Sequence, residues 1–250
     1  MNLLVFGATG GTGRALVRQA LAQGHLVTAF ARDPAKVKIT HENLRIARGN
    51  ILDYDSVEAA VKNQDAVVSA LGTRPKVGLV VLVIIACQVL ARTAGLSGPL
   101  MWLVRIGIPL LALLLVQKKT TTLSEGTKNI VRAMEKLGVR RFICESSLGV
   151  GDSKGQLGFL YNYILIPLFI RSMFADKEVQ ETIIRKSTLD WVIVRPGALT
   201  NGPPTGKYHS WLGAPDVSIR RKISRPDVAD FMLRQLGESA DLGKTPALSY

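Results

Sequence analysis

The chain has 250 residues, a formal net charge of +13, only two cysteines and 47% hydrophobic residues. That length can bury one sizeable core, and the charge favours anionic partners such as phosphorylated cofactors or acidic lipid. Two cysteines in apolar runs, Cys87 and Cys144, exclude a disulfide scaffold and suit buried thiols in a reducing compartment. The bases are scattered, with only Ile219–Lys222 dense, and no zinc finger or RNP-like aromatic motif is present, so nucleic acid is not expected as a partner.

The chain opens on "LLVFGA" (3–8), a buried strand, and "GRALVRQALAQG" (13–24), a helix closed by glycine. No basic leader or cleavage site precedes it, which implies a cytoplasmic protein. "LVTAFAR" (26–32) and "LRIARG" (44–49) read as strands, and the Asp-rich start of "DYDSVEAAVKNQ" as a helix. "AVVSALG" (66–72) is a fourth strand. Further on, "TLSEGTKNIVRAMEKLG" is an amphipathic helix, "RFICES" and "WVIVRPG" are strands, and "SRPDVADFMLRQLGES" is a helix with Pro226 in its first turn. This alternation predicts an α/β fold with a doubly wound parallel sheet, as a single domain over 1–250.

The loop after the first strand reads Gly7-Ala8-Thr9-Gly10-Gly11-Thr12-Gly13. Glycines at G-x-x-G-x-x-G spacing permit a tight turn. They also let a pyrophosphate approach the N-terminus of the next helix, where free N–H groups and the dipole favour negative charge. Its place between a strand and a helix is the context that the motif requires. Arg32 ends the second strand and Lys36 follows one turn later. Cations there accommodate a 2′-phosphate and favour NADP(H); Asp33 leaves selection of NADH as the other reading.

Together "FGATGGTG", "ARD", "SALGTRP", "SEGTKNIVRAM", "LDWVIVRPG", "TGKY" and "ISRPDVADFMLRQL" resemble the atypical short-chain dehydrogenase/reductases. Within them the chain is similar to the biliverdin reductase B/flavin reductase group and its NmrA-like relatives. The resemblance implies a Rossmann fold and an NADP(H) site. Gly7, Gly10, Gly13, Arg32 and Lys36 would hold the cofactor's phosphates, with Thr9, Gly11 and Thr12 in the same loop. Leu71, Gly72 and Thr73, followed by Arg74, would lie against the cofactor's centre, and Pro196 beside it at the end of "WVIVRP". Asn50 stands where the family has an aspartate for the adenine amino group, and its amide oxygen can accept the same bond.

The resemblance also implies a catalytic pair. Ser146 matches the active-site serine of the flavin reductase-like group, with Glu145 pointing to the other face, and Lys177 matches the lysine of the Tyr-x-x-x-Lys motif. Met173 replaces the tyrosine, and a thioether is no general acid. Ala198 stands where the group has a histidine. Tyr161 and Tyr163 read as part of an apolar wall over 155–170. The expected activity is hydride transfer from NADPH to a small conjugated acceptor of flavin, quinone or tetrapyrrole type, because such an acceptor spreads the incoming electron pair and can take its proton from water. The other reading is a non-catalytic NADPH-binding regulator or assembly factor. No metal site is expected.

The run 77–117 interrupts this pattern. It contains no acid and only two bases, Arg92 and Arg105. Deleting it leaves an ordinary polar loop between the fourth strand and its helix, and the chain without it is expected to be monomeric. Its charge-free pieces fall short of the roughly 20 residues a membrane span needs. Burying Arg105 to join two of them would cost about 3 kcal/mol. Three readings stand. One is a membrane-dipping helical hairpin that would associate the protein with a bilayer surface. The second is a buried extra helical layer. The third is a retained in-frame intron, since the run begins at a valine (GT-) codon and ends at a glutamine codon that can read CAG, after a pyrimidine-rich tract.

Overall fold

The computed structural model describes residues 1–73, 77–93, 97–109, 120–158, 162, 166, 170–214 and 219–250. Five parallel strands, β1 (Asn2–Phe6), β2 (Leu26–Ala31), β3 (Leu44–Arg48), β4 (Ala66–Ser69) and β5 (Arg141–Glu145), are joined by β6 (Asp190–Pro196). Three-residue strands complete the set: β7 (Ala198–Thr200), β8 (His209–Trp211), β9 (Lys222–Ser224) and β10 (Ala247–Ser249). The main sheet runs β3-β2-β1-β4-β5-β6-β10-β8, with β8 antiparallel at its edge, and β7 pairs with β9 in a small second sheet. This is the doubly wound α/β sheet expected from the sequence. The chain moves outward from β1 to β3, then crosses to β4 on the other side of β1. That reversal opens a crevice at the carboxyl ends of β1 and β4, where ligands bind in such sheets.

The layers follow from alternation along the strands. Leu3 and Val5 of β1 face α1 (Gly11–Ala22), and they share a core with Leu16, Val17, Val228 and Met232. Leu4 and Phe6 face the opposite way and share a core with Val57, Ile130, Met134 and Ile184. Those residues come from α2 (Tyr54–Val61), α5 (Thr122–Leu137) and α6 (Arg171–Arg185). Val228 and Met232 belong to α7 (Arg225–Arg234), which packs on α1.

Boundaries differ from the sequence expectation where local bonds decide them. α1 begins at Gly11 instead of Gly13, because the Gly10 carbonyl already accepts from the Arg14 amide at 3.0 Å. It ends in a left-handed Gly24, φ 78°, with the Gly24 and His25 amides returning to Leu21 and Ala20. β4 stops at Ser69 instead of Gly72. The short strands β7 to β10 were not legible as elements.

Within the apolar run, α3 (Val77–Thr93) and α4 (Gly98–Trp102) are described, the latter continued by a π-helical turn over Leu103–Gly107. Cys87, Ala91 and Val104 form a small cluster of their own, and Gln88 donates to the Arg105 carbonyl at 3.4 Å. Ile85, Val89, Leu90, Trp102, Leu103 and Ile106 are exposed. Among the described residues no helix is long and apolar enough to cross a membrane.

Both cysteines are free and buried. Burial in the second core pushes the Cys144 thiol up to about 12, and the nearby Lys177 charge only partly opposes this. Cys144 is therefore a protonated, inert thiol at neutral pH. Alkylation at pH 8 is expected to modify at most Cys87 in the native protein and both thiols in denaturant, read by intact mass.

Candidate functional site

The glycine loop sits at the crevice, and its packing explains its composition. Gly7 has φ 78°, and a Cβ there would meet the Ala70 carbonyl oxygen at 2.4 Å. A Cβ on Gly13 would meet the Gly7 oxygen at 2.1 Å. Only glycine lets β1, β4 and α1 approach this closely. Gly10 donates to the Gly7 carbonyl at 2.8 Å, closing the turn, and Thr9 lies half-buried within it. The Gly11 and Thr12 amides, in the first turn of α1, donate to no acceptor among the described residues. They are the free N-terminal donors that suit a phosphate. The residues present thus fit a dinucleotide's pyrophosphate.

Arg32 is exposed just beyond β2. Asp33 is occupied locally: its Oδ1 accepts from the Ala35 amide at 3.2 Å, and Oδ2 lies 3.4 Å from Lys36 Nζ. Asn50 makes a similar local turn, its Oδ1 accepting from the Leu52 amide at 3.2 Å. Leu71 is half-buried against the second core, Gly72 is exposed and Thr73 half-buried. Arg74, Tyr161 and Tyr163 lie outside the described residues, as does much of the wall expected over 155–170.

At the end of β5 two neighbouring side chains diverge. Ser146 Oγ donates to Glu181 Oε1 at 2.6 Å, on the α6 side of the sheet. Glu181 is also held by Arg195, at 3.0 Å from Nε and 2.6 Å from Nη2. Arg195 reaches on to Asp152 at 2.6 Å. Glu145 points to the opposite face, as expected, and that face is the glycine loop's: its Oε1 accepts from Thr12 Oγ1 at 3.1 Å. The Ser146 hydroxyl is thus tied into a buried ion-pair network, and it is Glu145 that touches the loop.

Lys177 links the two residues. Its Nζ donates to the carbonyls of Glu145 (3.4 Å) and Ser146 (3.1 Å), and it is buried. Its neighbour Asp176 fixes the helix that carries it, accepting from the Leu123 and Ser124 amides at 3.0 Å each and so capping α5. Met173 is half-buried one turn before Lys177. Pro196 ends β6, and the Leu148 amide donates to its carbonyl at 2.9 Å. Burial raises the Glu145 carboxyl above the usual carboxylate range, opposed by Lys177, the Thr12 bond and Arg225. No cluster of His, Cys, Asp and Glu suited to a metal occurs among the described residues.

Comparison with known proteins names the family. Residues 7–239 match the NAD(P)H-binding family. This chain belongs to it. An uncharacterized chloroplastic protein of Arabidopsis thaliana is 30% identical over 94% of this chain and 71% of its own length. The photosystem II assembly factor Ycf39 of Synechocystis is 25% identical over 94% of this chain, which spans only 58% of that relative. Among solved structures, an anaerobillin reductase of Escherichia coli superposes with a TM-score of 0.70 at 20% identity, covering 99% of this chain and 96% of that one. A short-chain dehydrogenase/reductase of Veillonella parvula in complex with NADP superposes at 0.69 and 16% identity, covering 100% and 94%. The family match makes this an NAD(P)H-binding chain, and the superpositions show that it shares the Rossmann-type α/β fold of these structures.

Sequence reasoning passed over three residues of this region: Glu181, Arg195 and Arg225. The first two were legible only as one more acid on a helix and one more base in a strand. Replacing Glu181 by Ala strips partners from Ser146 and from buried Arg195 at once. The expected cost is about 3–5 kcal/mol of stability, measurable by urea unfolding.

Proposed function

We propose that the protein is an NADPH-dependent reductase of a conjugated small molecule of flavin, quinone or tetrapyrrole type. The observation that supports it is the convergence of the glycine loop, Lys177 and Glu145 at the carboxyl ends of β1, β4 and β5. In this reading the loop amides bind the pyrophosphate. Lys177, fixed by Asp176, sets the position of the nicotinamide half. Arg32 and Lys36 take the 2′-phosphate, since Asp33 is already engaged in its own turn. Bound NADPH supplies a hydride from nicotinamide C4. The acceptor gains the electron pair and takes its proton from solvent, which needs no tyrosine at Met173.

A second reading, a non-catalytic NADPH-binding regulator or assembly factor, draws on one specific observation. The Ser146 hydroxyl is bonded to Glu181 on the side of the sheet away from the loop. The assembly-factor relative belongs to the same reading.

Binding and turnover separate these. Fluorescence quenching should give tighter NADPH than NADH binding, with the preference lost in Arg32→Ala; equal affinities in the wild type would refute the phosphate assignment. NADPH oxidation is then followed with FMN, riboflavin, quinones and biliverdin. Turnover on any of them supports the reductase, and tight binding with no turnover supports the regulator.

We further propose that the run 77–117 is a lipid-contacting segment. Its support is the exposed apolar side chains of α3, α4 and the π-helical turn that follows (Ile85, Val89, Leu90, Trp102, Leu103 and Ile106), with exposed Arg92 near them and Lys118-Lys119 next to the run in sequence. The full chain is expected to sediment with vesicles containing phosphatidylserine, and a version lacking 77–117 to stay in the supernatant while still binding NADPH. Failure of the shortened chain to fold would make the run part of the core. Transcripts consistently spliced at its ends would mark it as an intron.

A further inference from the structure

Arg225 opens α7, far along the chain from the glycine loop, yet its side chain lies across that loop. A Cβ on Gly11 would stand 2.3 Å from Arg225 Cδ and 2.6 Å from its Nε. Gly11 is the first residue of α1, so the guanidinium stem crosses the helix at the point where its amides are free. Gly11 has no side chain because Arg225 fills that space.

The placement is built from several sides. α7 packs along α1. Its first turn is fixed by Ser224, whose Oγ accepts from the Asp227 amide at 3.2 Å, and by Pro226. Asp227 in turn takes hydrogen bonds from the Thr205 and Gly206 amides at 2.8 and 2.9 Å. At the far end of the side chain, Arg225 Nη1 donates to Asn201 Oδ1 at 2.6 Å. That bond uses one edge of the guanidinium. Its Nε and Nη2 donate to no acceptor among the described residues. Lys177 and, more weakly, Arg225 oppose the burial that raises the nearby Glu145 carboxyl.

We propose that Arg225 is a pyrophosphate-binding arm of the NAD(P)H site, gripping the phosphates against the first turn of α1. A planar guanidinium with two parallel donors matches phosphate oxygens, which a loop of backbone amides cannot neutralise alone. Asn201 holds the arm over the loop. The inference rests on membership of the NAD(P)H-binding family and is independent of the acceptor.

The test is equilibrium binding to the full chain. In Arg225→Gln, NADPH and NADH are both expected to bind about 10–100-fold more weakly, the loss of a charge-assisted contact. Their ratio should stay at the wild-type value, unlike that of Arg32→Ala. Binding of 2′-AMP, which lacks the pyrophosphate, should stay within two-fold. Arg225→Lys keeps the stem over Gly11 and the charge without the fork, and is expected to weaken NADPH several-fold. It also serves if the glutamine variant folds poorly. NADPH affinity within two-fold of wild type in the folded variants would overturn the proposal. So would an equal loss for 2′-AMP.

Discussion

The structure depends on one close approach of backbone to backbone. Gly7 lies against the Ala70 carbonyl and Gly13 against the Gly7 carbonyl, at distances that no side chain permits. That contact brings α1 down onto β1 and β4 at the point where the strand order reverses. Without it the first turn of α1 would not face the crevice, and its free amides would point at solvent. The neighbouring features serve the same point: Thr12 meets Glu145, Arg225 crosses Gly11, and Lys177 closes the end of β5.

A second layer of interactions holds those groups still. The Ser146–Glu181–Arg195–Asp152 network joins the end of β5, α6, the end of β6 and the short helix over Gly151–Ser153. Asp176 joins α6 to the start of α5. The helix carrying Lys177 is therefore anchored on two sides by buried carboxylates. Such pairs are costly to bury and add little net stability. What they supply here is a fixed position for a lysine at the site.

How much of this was legible in the sequence depends on range. The glycine loop, Arg32 and the long strands could be read because spacing and alternation are local signals. The helix ends shifted, by two residues at the start of α1, three at the end of α2 and five at the end of α7, because local carbonyl bonds such as that of Gly10 decide them. The strands β7 to β10 have three residues each, too few for any period. Glu145 was seen only as the neighbour of Ser146. Its role at the loop depends on Thr12, which the fold brings across the sheet. Arg225 sat in a quoted motif with no stated purpose, because its partner Gly11 is at the other end of the chain. Ser146 was placed at the end of β5 and read as an active-site serine; its bond to Glu181 is a tertiary fact that no local spacing carries.

The central claim is that a dinucleotide's pyrophosphate rests on the first turn of α1 while its 2′-phosphate reaches Arg32 and Lys36. Phosphorus NMR of NADP⁺ titrated with the protein observes all three phosphorus atoms separately. The account predicts that both pyrophosphate resonances and the 2′-phosphate resonance move together and saturate at one equivalent. A 2′-phosphate that shifts while the pyrophosphate signals stay at their free positions would contradict it.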